Sequence, residues 1–63
     1  MNNNQYNLMT QMVQEHKSLW RIKNNYVKDA ADSVESQNFW QKMITDKENH
    51  IAELETLIKA SMM

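Results

Sequence analysis

No glycine and no proline occurs anywhere in the 63 residues of this chain. Proline ends or kinks a helix, and glycine is the next most costly residue inside one. Nothing in the chain therefore forces a helix to stop, and most of its residues favour one. The missing glycines also exclude a phosphate-cradling loop. Cysteine is absent too, so neither a disulfide framework nor a thiolate metal site can support the small core. With 7.5 kDa and a net charge of −1, the chain has room for a single domain, residues 1–63, and no bulk field to draw it onto nucleic acid or a membrane.

Apolar periodicity sets the expected fold. Met9, Met12, His16, Leu19, Lys23, Tyr26 and Ala30 step by alternating threes and fours, with Val13, Trp20 and Val27 alongside. This is a heptad seam. Phe39, Trp40, Met43, Lys47, His50, Ile51, Leu54, Leu57 and Ile58 repeat the rule. Between the two series, Asp32 followed three residues later by Glu35 resembles a capping box. The expected helices run over 4–31, with Asn4 as N-cap, and over 33–61, joined by a turn at about 31–33. At ~1.5 Å per residue each is roughly 40 Å long. The first stripe centres near the direction of Lys23 and the second near Leu54, more than about 90° apart on a continuous helix at ~100° per residue. A straight rod would carry two mismatched faces, whereas a hairpin turns both inward. Residues 1–30 carry four bases and two acids, and residues 31–63 three bases and six acids. That asymmetry also favours the helices lying side by side.

Two helices cover only one side of each wide stripe. The fold class expected is therefore all-α: an antiparallel hairpin that dimerises into a four-helix bundle. Its dimer core would be Met12, Leu19, Trp20, Tyr26, Phe39, Trp40, Met43, Leu54 and Leu57. Homodimer or higher homo-oligomer, with a protein partner as the alternative, is the expectation for partners. Met9, Met12 and Met43 suit an adaptable core. The stretch Met1–Gln14 is uncharged but rich in Asn and Gln, too polar for a membrane span or a secretory signal. A cytoplasmic protein is expected.

Polar groups interrupt the stripes. His16 and Lys23 lie within the first, Lys47 and His50 within the second, and Glu15 and Asp46 at the stripe edges. Such groups set register and oligomer state in coiled coils. They could also hold a metal, since Asp46 and His50 are one helical turn apart and Glu15 and His16 could complete the ligands. The segment Phe39-Trp40-Gln41-Lys42-Met43-Ile44-Thr45-Asp46-Lys47-Glu48-Asn49-His50 resembles the second helix of a ferritin-like (rubrerythrin-type) half-bundle. In that family an aromatic pair is followed by an acidic turn and a Glu-x-x-His ligand pair. The first helix, with Glu15, Trp20, Tyr26 and Ala30, is similar to the family's first. The resemblance spans about residues 14–58 and implies the hairpin pairing and an iron or other divalent-metal site. His50 matches the family's His, but Lys47 stands at its Glu position. Leu19 stands seven residues before Tyr26, where the first-helix Glu would fall. A surviving metal site would draw on Glu15, His16, Asp46 and His50, and iron oxidation would be its activity.

Other chemistry is thin. Ser18, Ser33, Ser36 and Ser61 have no His–acid arrangement around them, so no catalytic residue is assigned. Lys17, Arg21, Asn24 and Lys28 form one strip on the outer side of the first helix, with Asn25 beside them. Such a strip could meet RNA phosphates. In length and layout the chain is similar to plasmid copy-control RNA-binding hairpin dimers, without a shared motif. The expected role is a non-enzymatic oligomerisation or interaction module. A ferritin-like remnant binding metal and an RNA-binding dimer are the alternatives.

Overall fold

The computed structural model describes residues 2–62 and is all-helical, with no strand among them. Helix α1 spans Asn3–Arg21. It runs into a π-helical turn, Ile22–Tyr26, and then a short α2, Val27–Asp29; after a tight turn, α3 spans Val34–Ser61. The two arms fold back on each other as an antiparallel hairpin. Its extents are 47 × 15 × 13 Å.

Each boundary has a local cause. Asn2 caps α1, its side-chain oxygen accepting from the Gln5 amide at 2.8 Å. The expected cap, Asn4, instead lies inside the helix. At the turn, Ala30 leaves the helical region with φ −94° and ψ 18°. The Ser33 amide then donates back to the Ala30 carbonyl at 3.0 Å. No residue here takes a positive φ, which is how a chain without glycine turns the corner. Ser33, not Asp32, caps α3, because its hydroxyl lies 3.2 Å from the Ser36 amide. At the open end, the Gln5 side-chain amide donates to the Ser61 carbonyl at 2.9 Å and fastens the two arms together.

The seam differs from the expected one by a rotation of both arms: on α3, Phe39, His50 and Leu57 of the expected stripe are exposed and Ile44 is buried, and the first arm is turned likewise. The residues of the first arm turned toward α3 are Gln5, Leu8, Met12, Glu15 and Leu19 of α1 and Ile22 of the π turn, all buried or half-buried. His16 and Lys23, expected at mid-stripe, are exposed. Ile22, with 1% exposure, and Ile44 are the buried apolar residues; neither belonged to the expected core. On α3 the half-buried and buried positions Gln37, Trp40, Ile44, Lys47, Ile51, Leu54, Ile58 and Ser61 keep alternating steps of three and four.

The π turn explains how the first arm stays in phase. The Val27 amide donates to the Ile22 carbonyl, five residues back, so one extra residue is inserted into the turn. The seam passes from Ile22 to Val27 and Ala30, which are half-buried, while Tyr26 and Asp29 stay exposed. Steps of four and three from Ile22 would instead have turned Tyr26 and Asp29 inward. Burying the Asp29 carboxylate unpaired would be costly. The Asn24 side-chain amide donates to the Trp20 carbonyl at 2.9 Å beside this turn, competing locally with the main-chain ladder.

Candidate functional site

Among the described residues, Glu15 is the one buried charged residue, 9% exposed, midway along the α1 side of the seam. An unpaired carboxylate there would be expensive. Lys47, on the facing side of α3, donates from Nζ to Glu15 Oε2 at 3.0 Å. Gln11, one turn back on α1, donates from Nε2 to Oε1 at 3.1 Å. His50 Nδ1 approaches the same Oε1 at 3.8 Å, too long for a hydrogen bond. The Lys47 ammonium outweighs the opposing effect of burial and holds the Glu15 carboxyl below its ordinary value; Gln11 and the His50 charge act in the same direction. Among the described residues, no buried side-chain nitrogen or oxygen lacks a partner.

Of the four candidate metal ligands, the structure brings Glu15 and His50 together. His16 lies on the other flank of α1, against a groove with Met9 and Val13. Asp46 lies on the outer side of α3 beside Gln41, Lys42 and Thr45. Among the described residues, no group of three His, Cys, Asp or Glu side chains is placed to hold a metal ion. The Lys47 ammonium supplies the positive charge that faces Glu15. Spacing could not disclose this pairing, because Glu15 and Lys47 meet only once the arms close.

Large apolar side chains flank the seam on both sides. On one flank, Tyr6, Met9, Val13 and Trp20 are exposed along α1. Met9 and Val13 border a groove of about 350 Å³ lined also by Met12, Ile58 and Met62. His16, Glu55 and Lys59 also line it, but without presenting polar atoms. On the other flank, Phe39 and Leu57 are exposed on α3, near Met43 and His50. There Trp40 packs tilted against Tyr26 and edge-to-face against Phe39, both at a ring-centroid distance of 5.0 Å. Of the nine expected core residues, Met12, Leu19, Trp40, Met43 and Leu54 are half-buried within the hairpin; Trp20, Tyr26, Phe39 and Leu57 are exposed on its flanks.

The basic strip runs along the outer side of the first arm, from α1 through the π turn to α2. Lys17, Arg21, Asn24 and Lys28 are all exposed, with Trp20 next to Lys17 and Arg21. Lys23 reaches across to Glu48 at 3.5 Å. Both of those side chains are about half exposed, so the pair contributes only ~0–1 kcal/mol. Among the described residues, no helix is long and apolar enough to cross a membrane. No protein family, no curated protein and no solved structure matches the chain.

Proposed function

We propose that the chain is a non-enzymatic helical-hairpin assembly module in which an exposed apolar flank is covered by further helices, two hairpins closing a four-helix bundle. The observation that carries this reading is the exposure of Tyr6, Val13 and Trp20, at 62%, 50% and 61%, along one flank of the hairpin. Contiguous exposed apolar surface of this kind marks an interface. Its shape supports the same reading. The radius of gyration is 14.3 Å, against about 11 Å for a compact chain of this length. The accessible surface is 4858 Å², where about 4,200 Å² suits a compact monomer of this mass. Sedimentation equilibrium at micromolar concentration is expected to give a dimer or larger. A stable, folded 7.5 kDa monomer across that range would overturn the proposal.

A second reading, a divalent cation held by Glu15 and His50, draws on their 3.8 Å approach. Iron is the ion that the ferritin-like resemblance implies. Against it stands the Lys47 ammonium, 3.0 Å from the same carboxylate; a cation would have to displace it. Titration with ferrous iron, followed by desalting and elemental analysis, is expected to leave no stoichiometric metal. Retention that is lost in His50→Ala would favour the metal reading over the module.

A further inference from the structure

We propose that the flank carrying Met9, Val13, His16 and Trp20 docks on the same flank of a second copy, about a two-fold axis parallel to the hairpin's length. α1 of each protomer then lies over α3 of its partner. This rests on the assembly reading above and names the face and the arrangement. Tyr6, Met9, Val13 and Trp20 are spaced as one edge of a helix and are exposed together. Met9 and Val13 of this edge border a groove with apolar walls, Met12, Ile58 and Met62 among them, so the edge and the groove form one surface. A stable interface needs ~800 Å² from each partner. That is about a sixth of the 4858 Å² that the hairpin exposes, and a 47 Å edge is long enough to supply it.

Charge chooses between the two ways in which identical hairpins can stack on this flank. An axis across the hairpin would set α1 on the partner's α1. An axis along it sets α1 on the partner's α3. On the first arm the exposed charged residues are the bases Lys17, Arg21, Lys23 and Lys28 and a single acid, Asp29, at its end beside the turn; Glu15 is buried against Lys47. On α3, Glu35, Asp46, Glu48, Glu53 and Glu55 are exposed, against the bases Lys42 and Lys59. Stacking α1 on α1 would face base with base, whereas α1 on α3 faces base with acid, which fixes orientation even where it adds little affinity. The register follows as well. Met9 and Val13 share a groove with Ile58 and Met62 in one hairpin, and an axis along the hairpin preserves height. Each copy's Met9 and Val13 therefore come level with the partner's groove.

Two exposed substitutions on opposite flanks test the face. Val13→Glu is expected to weaken dimerisation roughly tenfold or more, with helical circular dichroism retained because Val13 is half exposed. Leu57→Glu, on the other flank, is expected to leave the dimer intact. A monomeric wild type would defeat the assembly reading itself. A dimer broken by Leu57→Glu and indifferent to Val13→Glu would overturn only the choice of face. Mixing Val13→Cys and Glu55→Cys proteins under mild oxidation tests the arrangement, since the wild-type chain has no cysteine. The mixed disulfide is expected to predominate; predominance of the Val13→Cys homodimer would instead put α1 on α1.

Discussion

Ile22→Ala is expected to lower the unfolding free energy by about 3 kcal/mol, within the usual range for truncating a buried isoleucine. A chain of this length has only about 3–9 kcal/mol in total, so the variant should be largely unfolded well below the wild-type denaturation midpoint. The effect is large because of where Ile22 sits. It is 1% exposed, the seam residue that opens the π turn, and its carbonyl accepts the Val27 amide that defines that turn. Removing its side chain leaves a cavity at the point where the helix changes pitch, and little surrounds it that could collapse inward. Urea unfolding followed by circular dichroism measures the loss as a shifted midpoint at nearly constant slope. Lys23→Ala is the comparison that discriminates. Heptad spacing puts residue 23 in the seam, but the structure leaves it exposed with a solvent-screened partner, and its removal should cost no more than ~0.5 kcal/mol. Equal losses from the two substitutions would mean that the seam does not run through Ile22.

That contrast also shows how far the sequence determines the fold. Two helices, the turn near Ala31 and part of the inward face of α3 (Trp40, Lys47, Ile51, Leu54 and Ile58) follow from spacing; Phe39, His50 and Leu57, also expected there, lie exposed at its edge, and the buried Ile44 lies outside the expected stripe. The first arm carries two adjacent stripes: Leu8, Met12, Leu19 and Ile22 on one, Tyr6, Met9, Val13 and Trp20 on the other. Spacing merges them into one broad face whose centre lies between them, which places His16 and Lys23 in the middle. Their separation depends on a partner one turn of chain away, since only contact with α3 selects the stripe that contains Glu15. The π turn was hidden for a related reason. Nothing in Ile22-Lys23-Asn24-Asn25-Tyr26 marks an inserted residue, and the need for it arises from the cost of turning Asp29 inward. Glu15, Lys47 and His50 stood out as polar groups on or beside apolar stripes, but their grouping required the register of the closed hairpin. The exposed flanks are what a single hairpin has to leave uncovered.

Lys47→Met is expected to destabilise the hairpin by about 2 kcal/mol, somewhat below the 3–5 kcal/mol typical of a fully buried pair. The discount reflects side-chain exposures of 16% for Lys47 and 11% for Glu15. The substitution leaves the Glu15 carboxylate in the seam with Gln11 as its remaining hydrogen-bond donor. Glu15→Gln should cost less, because a lysine stem can carry its ammonium outward to water, whereas a short carboxylate anchored at mid-seam cannot. Replacing both residues by leucine is expected to restore stability to the wild-type level or above, since an apolar pair carries no desolvation cost. A double variant as unstable as Lys47→Met would mean that the two charges do not act as a unit. The pH dependence follows from the sign of the shift. Glu15 titrates below its ordinary value of 4.5, so in acid the unfolded chain binds its proton first. The stabilisation is therefore present above that ordinary value and is lost as pH falls through the lower, folded one. Acid titration of the wild type should show that loss, and Glu15→Gln should not. What the double leucine variant should lose is register. A slip of the arms by one heptad would set Glu15 against Trp40 or Leu54 instead of Lys47, and in the wild type the unpaired charge forbids it. With leucine at both positions, the slipped and native pairings differ only in packing, and cross-linking between engineered cysteines at the open end should then detect both.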